Sequence, residues 1–286
     1  MSKPPAFITR APHTLDAWAA CFDVASLPVL AETAVTIEDL REHEDAVDAH
    51  MLAEVVSQDP LMTLKLLAHV SALRRRHGHG GPDRSDAETV TAALVLLGIT
   101  PFFKAFGPQQ TIDAYLAEQP AALAGLQRVL CRAHRAARFA IGFAVHRMDH
   151  DAPVIHEAAL LHDFAEMLLW LYAPALALDI AALQDADAAL RSAAAQREVL
   201  HVELTDLQHH LMLTWRLPEL LVRITDNHAL RETDQLRNVR LAIRLARHSA
   251  DGWDNPALPD DVADIAALLL LGTEPTERLL RDIDAD

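Results

Sequence analysis

The stretch Glu157-Ala-Ala-Leu-Leu-His-Asp-Phe-Ala-Glu-Met-Leu-Leu-Trp170 constrains this chain more than any other. It sets a polar pair, His162-Asp163, inside an otherwise apolar run of helical character. A carboxylate and an imidazole are costly in such a setting unless each has a partner. The pair is therefore either a metal or catalytic dyad, or a hydrogen-bonded structural pair.

The rest of the chain favours helix as well. Apolar residues make up 51% of the 286, enough for a sizeable core, while aromatics are only 5%. Alanine and leucine dominate, both good helix formers, and strand-like runs of valine, isoleucine, threonine and tyrosine are scarce. The expected fold class is all-α.

The formal net charge is −16. This argues against nucleic acid as a general partner, because such binding needs a cationic surface. Between Asp251 and Asp286 there are ten acids and two bases, which makes the C-terminal end an acidic appendix. The two cysteines, Cys21 and Cys131, do not form a disulfide framework and suit a reducing cytosol, where each reads as a small apolar residue. The N-terminus lacks the apolar core of a signal peptide, and no run is long enough to span a bilayer. A cytoplasmic protein without membrane contact is the expectation.

Local signals divide the chain into helices. Thr14 to Ala25 opens the series, with Thr14 as N-cap. Asp48 to Val56 follows. Asp59-Pro60 starts the next helix, with aspartate at the cap and proline at the first helical position. His77-Gly-His-Gly-Gly-Pro82 reads as a loop, and Ser85-Asp-Ala-Glu88 as a capping box for a helix that Gly98 ends. Gln119-Pro120 marks the best internal boundary. A long helix then runs from Ala121 to Arg147, and the helix with the polar pair from Pro153 to Tyr172. Later helices are expected at Thr205 to Trp215, Glu219 to His228, Gln235 to Ala250, Asp260 to Leu271 and Thr276 to Ile283.

Several of these pieces form an ordered set of motifs. Leu27-Pro28 is followed by Ser57-Gln-Asp-Pro-Leu-Met-Thr-Leu-Lys-Leu-Leu67, and then by Ala93-Leu-Val-Leu-Leu-Gly98. The second half carries Ala159-Leu-Leu-His-Asp-Phe-Ala165, Leu211-Met-Leu-Thr-Trp-Arg-Leu-Pro218 and a trailing His228. In this order the chain resembles the HDOD domain, a signalling relative of the HD-type metal phosphohydrolases. The resemblance covers residues 27–230. It implies two packed helical subdomains (27–118 and 119–230), the second HD-like. Residues 1–26 are then an N-terminal helical extension, and residues 231–286 a C-terminal acidic one.

The resemblance also frames the polar pair. An HD phosphohydrolase holds its divalent metal with a His, the His-Asp pair and a later Asp, and the metal activates water. Here the first position falls on Arg132 or, in another register, His134, and the last falls on Arg247. A guanidinium has no lone pair to give a metal, so the ligand set is incomplete. No catalytic or metal-binding residue and no cofactor is expected. His162 and Asp163 then read as a structural pair in which an arginine, Arg132 or Arg247, replaces the charge of the metal.

A second cluster lies further on. Arg237, Arg240, Arg244 and Arg247 recur at spacings of three, four and three, beside the apolar stripe Leu236, Val239, Ile243 and Ala246. The stripe is either a solvated face, or an anion site or docking face for an acidic partner, including the chain's own tail. The basic cluster from Arg74 to His79 has no interleaved aromatics for stacking on bases and reads as a charged loop.

The resemblance thus implies a non-catalytic bacterial regulator that works by protein–protein contact with a signalling partner. The alternatives are a metal-dependent phosphohydrolase and a nucleotide-sensing regulator. A homo-oligomer is compatible with each.

Overall fold

The computed structural model describes residues 7–76, 88–187, 189–226 and 233–285. The all-α expectation holds: seventeen helices and no β-strand occur among the described residues, with one isolated parallel bridge between Val29 and Thr111. In chain order the helices are α1 (Leu15–Ala19), α2 (Ala31–Glu42), α3 (Ala49–Val56), α4 (Pro60–Arg76), α5 (Val90–Leu97), α6 (Ile99–Ala105), α7 (Ile112–Tyr115), α8 (Pro120–His146) and α9 (Ala152–Leu160). They continue as α10 (Phe164–Tyr172), α11 (Pro174–Ala186), α12 (Ser192–Leu200), α13 (Leu204–Trp215), α14 (Glu219–Thr225), α15 (Asp234–His248), α16 (Leu258–Leu269) and α17 (Thr273–Ala285). No single described helix is long and apolar enough to cross a membrane.

The helices group into two compact units. One comprises the chain up to Val129 together with Asp163–Pro218; the other comprises Leu130–His162 together with Glu219 onward. The sequence boundary at Gln119-Pro120 coincides with the start of α8, whereas the contacts divide the chain ten residues later, within that helix.

In the first unit, α3 and α4 pack on α5, α10 on α11 and α13, and α1 on α13. Trp18, Leu61, Met62, Leu64, Phe102 and Phe164 lie in its core. Trp18 is fully buried and its indole Nε1 donates to the Leu200 carbonyl at 3.1 Å. That bond satisfies the one polar group of a large apolar side chain and ties the N-terminal segment into the unit.

The Asp59-Pro60 helix start is built as the cap rules require. Oδ1 of Asp59 accepts from the Leu61 and Met62 amides at 2.9 and 3.0 Å, and Oδ2 accepts from the Leu30 amide at 2.7 Å. Lys65, one and a half turns on, donates from Nζ to the Leu27 carbonyl at 2.7 Å and to Gln109 Oε1. The Leu27-Pro28 and Asp59-to-Lys65 motifs, thirty residues apart, are thus hydrogen-bonded to one another. Burial lowers the Lys65 pKa to about 8, against the pull of the Asp59 charge.

In the second unit, α9 packs on α14 and α15, α15 on α16, and α16 on α17. Phe139, Phe143, Ile155, Val239, Ile265 and Leu280 form its core. The segment from Thr233 to Ala285 is therefore part of a packed unit, and two of its acids, Asp261 and Asp284, are turned inward.

Several local expectations change. α5 starts at Val90 with Thr89 as its cap, at 3.1 Å to the Ala92 amide, and Ser85 lies outside the described residues. The end at Gly98 stands, at φ 83°, a conformation that glycine adopts without strain. Thr14 caps α1 as expected, but that helix stops at Ala19 and a 3₁₀ turn covers Val24–Ser26. Cys21 and Cys131 are both exposed free thiols, and neither is a core residue.

Candidate functional site

The helix expected from Pro153 to Tyr172 is broken at the polar pair. α9 ends at Leu160, α10 begins at Phe164, and His162 and Asp163 occupy the turn between them. The His162 amide bonds back only three residues, to Ala159 at 3.4 Å, and the Asp163 carbonyl accepts from the Glu166 and Met167 amides to begin α10. An i−3 bond tightens the chain into a turn and ends the α-helical ladder. Asp163 thus stands at the cap position of α10, but its side chain does not cap that helix. It is buried and His162 is half-buried. The division between the two units falls between these neighbours, with His162 in one and Asp163 in the other.

Arg132 and His134 lie on α8, both half-buried, and Arg247 lies on α15 with its side chain exposed. His228 lies outside the described residues. The structure adds a residue that sequence reasoning missed: His156 on α9, close enough to His134 for their charges to oppose each other. Burial, and then His134, hold His156 down to about 4, so it is neutral near pH 7. Its neighbour Glu157 is also buried. A signal for both was present in the apolar register of α9, where His156 and Glu157 interrupt Val154, Ile155, Ala158 and Ala159. Among the described residues no three His, Cys, Asp or Glu side chains lie close enough together to hold a metal ion.

The arginine stripe of α15 is real but splits in two. Leu236, Val239, Ile243 and Ala246 are buried, as their register predicts. Arg237 and Arg244 are half-buried and turn toward α16, while Arg240 and Arg247 are exposed. Arg244 Nε lies 2.6 Å from Asp261 Oδ1, and NH2 lies 2.5 Å from Asp264 Oδ2. Arg237 NH2 donates to the Asp264 carbonyl at 3.5 Å. Asp261 is almost wholly buried and also meets His248 Nδ1 at 2.6 Å. Partial burial works against the Arg244 charge, but the two carboxylates outweigh it and raise the pKa further. Arg244 therefore docks on two acids of the chain's own C-terminal segment, and Arg237 on a backbone carbonyl there. Arg237, Arg240, Leu241, Arg244 and Asp264 line a surface cavity of about 300 Å³.

The described residues define an all-helical protein in which the His162-Asp163 pair sits in a turn between two helices. The HDOD domain family model matches residues 27–230, and the chain belongs to that family. Among solved structures, the fold is similar to the MmoQ response regulator from Methylococcus capsulatus str. Bath, at 22% identity and a TM-score of 0.62, covering 90% of this chain and 98% of that one. It is also similar to a virulence factor from Campylobacter jejuni subsp. jejuni, at 19% identity and a TM-score of 0.61, covering 94% and 98%. No curated relative matches the chain.

Proposed function

We propose that this HDOD protein is a non-catalytic signal-transduction module that acts through contacts with a protein partner. The observation that carries this reading is the donor set around the polar pair. The resemblance puts Arg247 at one of the positions where an HD hydrolase has a ligand, and Arg132 or His134 at another, and no three metal-donating side chains converge among the described residues. Without convergent, deprotonated donors there is nothing to hold a metal and activate water for attack on phosphorus. The naming of the M. capsulatus protein as a response regulator agrees with a signalling role for the fold. Two exposed, unbridged cysteines fit a reducing, cytoplasmic setting.

The test is hydrolysis of bis(p-nitrophenyl) phosphate by the purified chain with added manganese. No turnover above the buffer rate is expected. Metal-dependent turnover that disappears in Asp163→Ala would establish the phosphohydrolase reading instead.

A further inference from the structure

We propose that the outward face of α2, α3 and α5 is a docking surface for a basic amphipathic helix of a partner protein. The inference rests on the reading of this protein as a contact module and names the chemistry of what it contacts. All three helices belong to the first unit.

α5, Val-Thr-Ala-Ala-Leu-Val-Leu-Leu, carries no charged residue. A helix that is apolar all round belongs in an interior. α5 instead buries only Val90, Ala93 and Leu94 and turns Thr91, Ala92, Val95 and Leu96 outward, with Val95 68% and Leu96 57% exposed. The helix is about 12 Å long at 1.5 Å per residue, and its outward face has no charge along that length. A single exposed leucine means little. Here the helices packed in series with α5 expose apolar side chains as well: α3 packs on both α5 and α2, and these two helices expose Met51 and Val35. Apolar exposure grouped in this way marks a contact surface, not a solvated face.

The surroundings say which partner fits. Glu32, Val35, Asp39 and Glu42 recur at spacings of three, four and three and share the exposed face of α2. Glu44, just past that helix, accepts from the hydroxyl of Thr100, just past α5, so the ends of α2 and α5 meet. Between residues 31 and 56 six acids are exposed, and Glu32, Asp39 and Glu42 form no ion pair among the described residues. Arg41 is taken up by Glu38 and by the Phe106 carbonyl. Among the described residues of α2 to α6, the exposed arginines and lysines are Arg75 and Lys104. An apolar face edged by unpaired carboxylates matches a helix with leucine-type anchors on one side and lysine or arginine beside them. A second copy fits worse, because a two-fold contact through α5 brings two copies of the same acidic edge into one interface.

The experiment is fluorescence-anisotropy titration of a labelled leucine–lysine peptide, amphipathic as a helix, with the full chain at low ionic strength. One saturable site in the micromolar range is expected, weakening as salt is added. A leucine–glutamate peptide of the same pattern should not bind. Leu96→Ser leaves the charge unchanged and should weaken binding about tenfold, the loss of one buried apolar anchor. Leu213→Ser, at an exposed leucine of α13, should leave it unchanged. Glu32→Gln combined with Glu42→Gln should weaken it several-fold and flatten the salt dependence. The proposal is overturned if the leucine–lysine peptide does not bind in the micromolar range, or if the acidic peptide binds as well. It is also overturned if Leu96→Ser or the glutamate double variant binds as wild type with its helical circular dichroism intact. Light scattering without peptide supplies the last arm: a dimer that Leu96→Ser dissolves assigns the face to a second copy and overturns the proposal too. Each of these failures leaves the non-catalytic reading standing, because metal-dependent turnover is what tests that.

Discussion

Asp59→Ala is expected to destabilise the protein by about 3–5 kcal/mol, the range for removing one partner from a buried, hydrogen-bonded charged group. The carboxylate has no solvent exposure and satisfies three backbone amides, Leu30, Leu61 and Met62, together with the side chain of Thr33. Burial pushes its pKa up and these donors pull it down. Losing the cap alone costs about 1 kcal/mol. The larger part comes from the Leu30 amide, which loses an acceptor, and from Lys65, whose buried ammonium loses the attraction of the Asp59 charge. Asp59→Asn should be milder. Its carbonyl can still cap α4, but its amide nitrogen then faces the Leu30 N–H, donor against donor. Urea unfolding followed by circular dichroism checks both. A loss below about 1 kcal/mol for Asp59→Ala would mean that the N-cap is all this residue supplies.

Asp284→Ala is the second large effect, expected at about 2–3 kcal/mol for a part-buried group held by charge-assisted bonds. Asp284, near the end of α17, receives both arms of the Arg135 guanidinium at 2.9 and 2.8 Å. The Trp253 indole donates to the same carboxylate at 3.1 Å. Arg135 also reaches the Ser249 carbonyl and hydroxyl at 3.0 and 2.9 Å, so one guanidinium joins α8, the end of α15 and α17. Ile283, one residue before, closes on Gly142 so tightly that an added Cβ there would lie 2.6 Å from its methyl carbon. Partial burial raises the Asp284 pKa, but Arg135, Trp253 and Arg138 outweigh it and hold the carboxyl below the ordinary aspartate value. Because the folded-state pKa is depressed, its stabilisation is fully present above the unfolded value near 4 and is lost as pH falls below it. The difference between wild type and Asp284→Ala should therefore be constant at neutral pH and shrink in acid. A difference that stays unchanged down to pH 2 would contradict this assignment of the charge.

What the sequence made legible was local chemistry. The Asp59-Pro60 start, the Thr14 cap, the Gly98 stop and the apolar stripe of α15 all depend on residues within a turn or two of each other, and each stands where expected. α2 was not legible. It buries only Thr33, Ala34 and Ile37, too thin a stripe to stand out in a polar segment. The break at His162 was hidden for the opposite reason: both sides of it are apolar and buried, so the pattern runs through it. Partners supplied by tertiary packing were beyond a reading of one helix at a time. Asp261 and Asp264 meet Arg244 from about twenty residues away, and His156 meets His134 from another helix. Acids of the C-terminal segment meet one arginine of the stripe, Arg244. Which arginine they meet depends on how α15 is rotated against α16.

The proposal is that this HDOD protein signals without a metal centre. Metal stoichiometry after equilibrium dialysis against manganese tests it most directly, with wild type and Asp163→Ala side by side. The account predicts well below one ion per chain in both proteins and no difference between them. One tightly held ion per chain in wild type, absent from Asp163→Ala, would contradict it.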